Sequence, residues 1–394
     1  MDVALVSPEQ RLRIAVLGDF DGVHTRSWLR WFVERGHDVH AISYYPPRTP
    51  LDGVTLHVLR HRTATATPQS GAPNAELGGS VPRGMMRLAH GLRYRAAGLQ
   101  RVVRAIRPDV FHGHFLVEHG FYGALIGFHP YVVTAWGSDV LVEPQRDPVS
   151  KLIAKWTLGR ADLVTSNNAF MADRIVALAA ARSKVHVITL GADRFFLERR
   201  AESVNVRMTD LPHAPTVLST RAHEPLYNTG EIIDAYERVV RAKPGVRLVV
   251  AHGGSQSAEL SRRAASSAGR IEFVGFVDRE SLRDAMTEAH VFVSVPSSDG
   301  TSVALLQAMA AGCFPIVADL PTQRELIEDG VNGFRVPLHR PEILAERIER
   351  ALAQPELRRA AAERNRAIVE ERGLNENEMA KMEALYQQVA DRHG

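Results

Sequence analysis

Short apolar runs alternate with amphipathic stretches along almost the whole chain, the pattern of α/β units built around a mainly parallel sheet. RIAVLGDF predicts a first strand and HTRSWLRWFVERGH the helix after it. DVHAIS, VTLHVLR, DVFHGH, YVVTAW, DLVTSN and KVHVITL continue the strand series. The composition breaks near SVNVRMTDLPHAPT and the pattern restarts. TVLSTR, RLVVAHG, RIEFVGF, VFVSVP, FPIVAD and GFRV then read as strands, with helices such as TGEIIDAYERVVRA between them. Two Rossmann-like halves joined near residue 205 account for this order. The expected division is residues 1–205, 206–372 and a C-terminal helix over 373–394 that packs back on the first half. Ligands of such sheets bind outside the carboxyl ends of the strands, so two facing halves would form a deep cleft. His61 to Val81, rich in Thr, Pro, Gly and Ser, predicts a mobile loop.

Composition narrows the class. With 394 residues, 45% of them hydrophobic, the chain can fill two cores. It contains no apolar run of the roughly 18 residues that a spanning helix needs. The N-terminus carries Asp2 and no basic region, so no signal peptide is expected and the protein is expected to be cytoplasmic. Cys313 is the sole cysteine, which excludes an internal disulfide and a multi-cysteine zinc site. A net charge of +3 is too mild to indicate nucleic acid as a partner. The charge is uneven, however: seven arginines and no acidic residue lie between Arg83 and Arg107, with apolar residues interleaved at roughly helical spacing. This stretch is either a solvated helix face or a patch for an anionic partner, such as the inner membrane face, where the protein would sit peripherally, or a phosphorylated acceptor.

LGDFDGVHTRS, at the first strand, carries three catalytic motifs in short form. Asp19-x-Asp21-Gly22 resembles the nucleophile and acid of haloacid dehalogenase phosphatases. GDFDGVH resembles the opening of flavin-nucleotide synthetase-type nucleotidyltransferases, but the Gly and second His that should follow His24 are absent. Asp-x-Asp is also the metal motif of GT-A glycosyltransferases. The simpler reading is a tight turn in which Gly22 permits unusual backbone angles and a close approach to phosphate.

The second half carries a longer constellation. Arg221 follows VLST; His252, Gly253 and Gly254 end a strand; EFVGFV, VPSSDGTSVALLQAMAAGCFPIVAD and QRELIEDGVNGFRVP follow in order. Together these resemble retaining glycosyltransferases of family 4, with their GxxxxEAMAxGxPVVA and PEIVxDGxNGxLV stretches. The first half agrees through DVFHGH, TAWGSD and SKVHVITLGADRFF. The resemblance implies the α/β GT-B fold, a nucleotide diphosphate sugar as donor, and neither cofactor nor metal.

It also implies residue roles. Asp299 would lie beside the transferred sugar, and His114, with His112 as the alternative, would face that sugar from the first half. Arg221 would bind the diphosphate with the Gly300, Thr301 and Ser302 segment that opens a helix. Gln307 stands where the family has a ribose-binding Glu. Glu325 would orient the donor, Gly253 and Val277 would lie near the nucleotide, and Gly22 would admit the phosphates. Trp136 and Asp139 fall in the TAWGSD match, Trp136 in place of the commoner His. The family's phosphate-binding Lys is missing: Tyr227 and Asn228 stand at its place, and Arg26 is the candidate replacement cation. Nucleotide-sugar epimerisation, donor binding without catalysis and nucleotidyl transfer are the competing functions. The base, the sugar and the acceptor are not legible.

Overall fold

The computed structural model describes residues 7, 10–59, 95–198, 214–265, 267 and 270–393. The expected loop His61–Val81, residues 83–94 of the basic stretch and most of the composition break near residue 205 lie outside them. Two compact units emerge. The first comprises residues 1–166, 172–187 and 381–394, the second 167–171 and 188–380. The chain thus passes from one unit to the other at 166/167, 171/172, 187/188 and 380/381.

The first unit holds β1 (Arg13–Leu17), β2 (Asp38–Ser43), β3 (Thr55–Val58), β4 (Val110–His114), β5 (Tyr131–Thr134), β6 (Leu163–Ser166) and β7 (Val185–Val187). They pair in parallel in the order β3-β2-β1-β4-β5-β6-β7. The second unit holds β8 (Thr216–Ser219), β9 (Arg247–Ala251), β10 (Arg270–Gly275), β11 (Val291–Ser294), β12 (Phe314–Ala318) and β13 (Phe334–Val336). Their order is β10-β9-β8-β11-β12-β13, again parallel throughout. Every predicted strand segment contains one of these strands.

Strands covered on both faces read as continuous apolar runs. Every residue of β4, β5, β6, β8, β11 and β12 is buried, whereas edge strand β10 alternates between exposed and half-buried positions. In each sheet the chain winds outward on one side of its first strand, then returns to the other. This places a topological switch point between β1 and β4 and another between β8 and β11, where loops diverge and leave a crevice.

The C-terminal helix Asn375–Asp391 contributes its residues from 381 onward to the first unit. There the Trp28 indole donates to Tyr386 Oη (3.2 Å), and Glu383 takes Arg35 Nε (3.1 Å) and meets His37 Nε2 (3.0 Å). Of the basic stretch, residues 95–106 are helical. Leu99, Val103 and Ile106 are buried and Arg101, Arg104 and Arg107 exposed. Arg95 is not part of a cationic face: its guanidinium lies over the Tyr44 and Tyr122 rings and donates to Tyr122 Oη (3.3 Å). Among the described residues, no helix is long and apolar enough to cross a membrane.

Candidate functional site

The switch point of the second unit brings together residues from the two loops that flank it. Arg221, just beyond β8, donates from Nη1 to Ser302 Oγ (2.6 Å) and pairs through Nη2 with Asp299 Oδ2 (2.9 Å). Its guanidinium stacks on the Tyr227 ring, 4.3 Å from the centroid. Ser302 is also the N-cap of helix Val303–Ala311 and accepts from the Leu305 amide (3.3 Å), so Arg221 is tied to the positive end of a helix. Burial pushes the Asp299 carboxyl above its usual range, and the Arg221 charge opposes that shift. The loop is held from outside: Thr322 Oγ1 donates to the Asp299 carbonyl (3.0 Å) and Thr301 Oγ1 to the Asn167 carbonyl (2.7 Å). A Cβ on Gly300 would sit 2.3 Å from Asn167 Nδ2, so a larger residue here would displace the Asn167 amide.

The other expected donor residues divide. Gln307 lies half-buried in the same helix, five residues beyond its cap. Asn228 occupies a left-handed turn (φ 52°) and donates to Val295 O and Ser297 Oγ (both 2.9 Å), bracing the β11 loop against the β8 loop. Neither Tyr227 nor Asn228 replaces the missing lysine as a charge; Tyr227 instead positions Arg221. Glu325 accepts from the Phe170 (2.7 Å) and Ala169 (3.2 Å) amides, one on each carboxylate oxygen, which fixes its orientation. Gly253 and Val277 follow β9 and β10, one and two strands from β8. A Cβ at Gly253 would meet Phe276 at 3.0 Å; Phe276 is 77% exposed and its ring lies 4.5 Å from that of His252.

The switch point of the first unit holds a cavity of about 320 Å³. Asp19, Gly22 and Thr25 line it from the loop and helix after β1, and His114, Glu118 and His119 from the end of β4 onward; Phe115 and Trp136 add aromatic surface. His114 is 3% exposed, yet neither ring nitrogen has a protein partner among the described residues. Its ring is wedged between Trp28 and Trp136, with centroids 5.2 and 5.3 Å away. Burial, reinforced by His119, holds its pKa down at about 3, so the imidazole is neutral.

Several expectations for this unit are corrected. His112 has both nitrogens occupied, Nδ1 by Tyr386 Oη and Nε2 by Thr134 Oγ1 (2.7 Å), and is therefore a strut of the fold. Asp139 is wholly buried and accepts from the Leu116 (2.8 Å), Trp136 (3.0 Å) and Gly137 (2.8 Å) amides; it shapes the loop that presents Trp136. Arg26 donates to the carbonyls of Phe20 (2.7 Å), Pro50 (2.9 Å) and Thr49 (2.5 Å), which commits its fork to backbone and removes it as a replacement cation. Gly22 has ordinary extended angles (φ −72°, ψ 134°), so only the open space above it distinguishes the position. Asp19 lines the cavity while Asp21 accepts from the Arg48 amide (2.7 Å), so the Asp-x-Asp pair does not act as one unit. Asp19, named above only for the phosphatase-like motif, lines this cavity with Glu118 and His119, which the sequence reading misses; their spacing, four and five residues after His114, is the signal that could have found them.

Buried neutral histidines set an acid limit. An unfolded histidine takes up its proton near pH 6.5. His112, His114 and His119 are all lowered, chiefly by burial, so the unfolded state binds more protons and stability falls as pH drops below about 6.5. For His114 the loss continues down to about pH 3. From pH 7 to 5.5 it alone is expected to cost about 1 kcal/mol. Urea unfolding followed by tryptophan fluorescence should show the lower midpoint at pH 5.5, and an unchanged midpoint would mean that His114 is protonated in the fold.

Comparison with known proteins agrees with this geometry. The sequence profile described as Glycosyl transferases group 1 matches residues 211–368, and that described as Glycosyl transferase 4-like matches 87–168. The phosphatidyl-myo-inositol mannosyltransferase of Mycobacterium tuberculosis is 34% identical over 128 residues, which cover 32% of this chain and 33% of that protein. The D-inositol 3-phosphate glycosyltransferase of Segniliparus rotundus is 25% identical over 336 residues, 80% of this chain and 71% of that one. Among solved structures, Anabaena HepE in complex with UDP superposes with a TM-score of 0.74 at 15% identity, covering 95% of this chain and all of the other. Sucrose-phosphate synthase from Thermosynechococcus elongatus gives 0.73 at 17%, covering 95% and 98%. Two parallel α/β units with these neighbours constitute the GT-B fold. Residues 211–368 of the chain match the family model described as Glycosyl transferases group 1.

Proposed function

We propose that the protein is a retaining glycosyltransferase that moves a sugar from a nucleoside diphosphate sugar to a hydroxyl acceptor. The observation that carries this reading is the Arg221–Ser302–Asp299 cluster at the start of helix Val303–Ala311. In the transfer the bond from the anomeric carbon to the phosphate oxygen breaks, its electron pair leaving with the diphosphate. The acceptor oxygen bonds to that carbon and releases its proton. Negative charge therefore develops on the leaving diphosphate, where a guanidinium and a helix N-terminus stabilise it most. Without donor, Asp299 satisfies Arg221; with donor, the guanidinium can turn to the diphosphate, leaving the carboxylate for sugar hydroxyls and the oxocarbenium-like charge. Retention rests on the resemblance to family 4.

HepE is solved with UDP and with UDP-glucose, which makes UDP-glucose the first donor to try. The test is incubation with UDP-, GDP- and ADP-sugars, following nucleoside diphosphate release and sugar epimerisation. Release that rises with added acceptor, and is lost in Asp299→Ala, is the expected result. Binding without turnover, or epimerisation alone, would overturn transfer.

A further inference from the structure

We propose that the solvent face of helix Pro148–Arg160 docks the first unit on a lipid bilayer that carries anionic headgroups, with Val149, Leu152 and Trp156 entering the acyl boundary. The inference concerns a surface away from the donor site and does not depend on the transferase reading. It also differs from the expectation drawn from Arg83–Arg107, because the inserting residues lie elsewhere in the chain.

A helix packed on a sheet turns an apolar stripe inward and a polar face to water. Helix Pro148–Arg160 does the first: Ala154, Thr157 and Leu158 are buried. Its outer face departs from the rule. Val149 is 66% exposed, Leu152 67% and Trp156 39%. Their i, i+3 and i+7 spacing places them in one stripe. Single exposed apolar residues are ordinary, but a stripe that continues onto a neighbouring element marks an interaction surface. The Trp156 ring meets that of Phe121, in helix His119–Ile126, edge-on with centroids 5.5 Å apart. Leu125, one turn on from Phe121, is 39% exposed. Gln100 Nε2 donates to the Ile126 carbonyl (3.4 Å), which joins the helix over 95–106 to the same layer.

The charges of this layer select the occupant. Helix Pro148–Arg160 contains Lys151, Lys155 and Arg160, all exposed, and no carboxylate. Asp147, its cap, is engaged by the Ser150 amide (2.8 Å) and hydroxyl (2.7 Å). Arg101 and Arg104 are exposed on the helix over 95–106. An apolar stripe flanked by long basic side chains suits a helix lying in a membrane interface. The apolar groups enter the boundary while the cations reach the phosphates. Tryptophan fits the same place, because its ring is apolar and its N–H polar. A second copy is the poorer occupant: a two-fold dimer sets the same patch against itself, so the cations of one helix would face those of the other.

The experiment is co-sedimentation of the full chain, without donor, with phosphatidylcholine vesicles and with vesicles that also contain phosphatidylglycerol. Binding to the anionic vesicles, and much less to the neutral ones, is the expected result. Each basic side chain near an anionic surface raises partitioning about fivefold, so Lys151→Gln with Lys155→Gln should weaken it about 25-fold. Val149→Ser with Leu152→Ser should weaken it about tenfold or more. All four side chains are exposed, and urea midpoints verify that both variants fold. Brominated acyl chains should quench the tryptophan fluorescence of the bound protein, and Trp156→Phe should remove most of that quenching. No binding to anionic vesicles, full binding by either double variant, or quenching that survives Trp156→Phe would overturn the proposal. A dimer in solution that Leu152→Ser splits, read by sedimentation velocity, would assign the face to a second copy and overturn it as well.

Discussion

Arg221→Ala is expected to weaken UDP binding by roughly 10- to 150-fold, the equivalent of losing one charge-assisted contact of about 1.5–3 kcal/mol. The effect is large because the cation that commonly follows in the family is absent. Tyr227 lies against the guanidinium and Asn228 is bound to Val295 and Ser297, so neither brings charge. Arg221→Lys should recover little. An ammonium cannot donate to Ser302 and pair with Asp299 in one plane while stacking on Tyr227. In Arg221→Ala the burial of Asp299 is no longer opposed by a cation, which raises its carboxyl pKa further. Residual UDP binding should then improve as pH falls, since protonating Asp299 removes its repulsion of the diphosphate. Calorimetric titration of UDP at fixed ionic strength measures both effects. Unchanged affinity in Arg221→Ala would remove Arg221 from the donor site.

How much of this was legible depends on the range of the contact. Both sheets were readable because parallel strands buried on both faces must be continuous apolar runs, as VFHGH, YVVT and VFVS are. Helix Pro148–Arg160 was not anticipated, although Asp147 followed by Pro148 is a start signal and Asp147 does accept from the Ser150 amide (2.8 Å). Arg221, Asp299 and Ser302 are singled out by the resemblance to family 4, and hydrogen bonding and an ion pair bring the three side chains together at the start of helix Val303–Ala311. The bonds that engage Arg26, Glu325 and His112 are not legible locally, because their partners lie far along the chain. The carbonyls that bind Arg26 include Thr49 and Pro50, 23 and 24 residues away; the amides bound to Glu325 are 155 and 156 residues away; the Tyr386 hydroxyl is 274 residues from His112. A local motif names such residues correctly but cannot say that another segment has already engaged them.

HGH is the sharpest instance, and it yields a paired test. His112 and His114 are two residues apart on one strand, so both rings project to the same face, their centroids 4.5 Å apart. Only the distant Tyr386, with Thr134, separates their roles. His112→Ala removes the partner of two buried hydroxyls and leaves a void, and should cost about 3 kcal/mol or more of stability. His114→Ala strands no protein hydrogen-bond partner among the described residues, and because the ring already borders a cavity its removal enlarges existing space. Its stability cost should be the smaller, whereas transfer should fall by about 100-fold or more if the ring holds substrate in the transition state. The acid sensitivity contributed by His114 should also disappear in that variant, a readout independent of activity. Thermal unfolding and initial rates at pH 7.5 on both variants decide the assignment. A His114→Ala protein that is unstable but active, beside a His112→Ala protein that is stable but inactive, would exchange the two roles. Full activity in both His114→Ala and Asp299→Ala would dismiss the site as drawn.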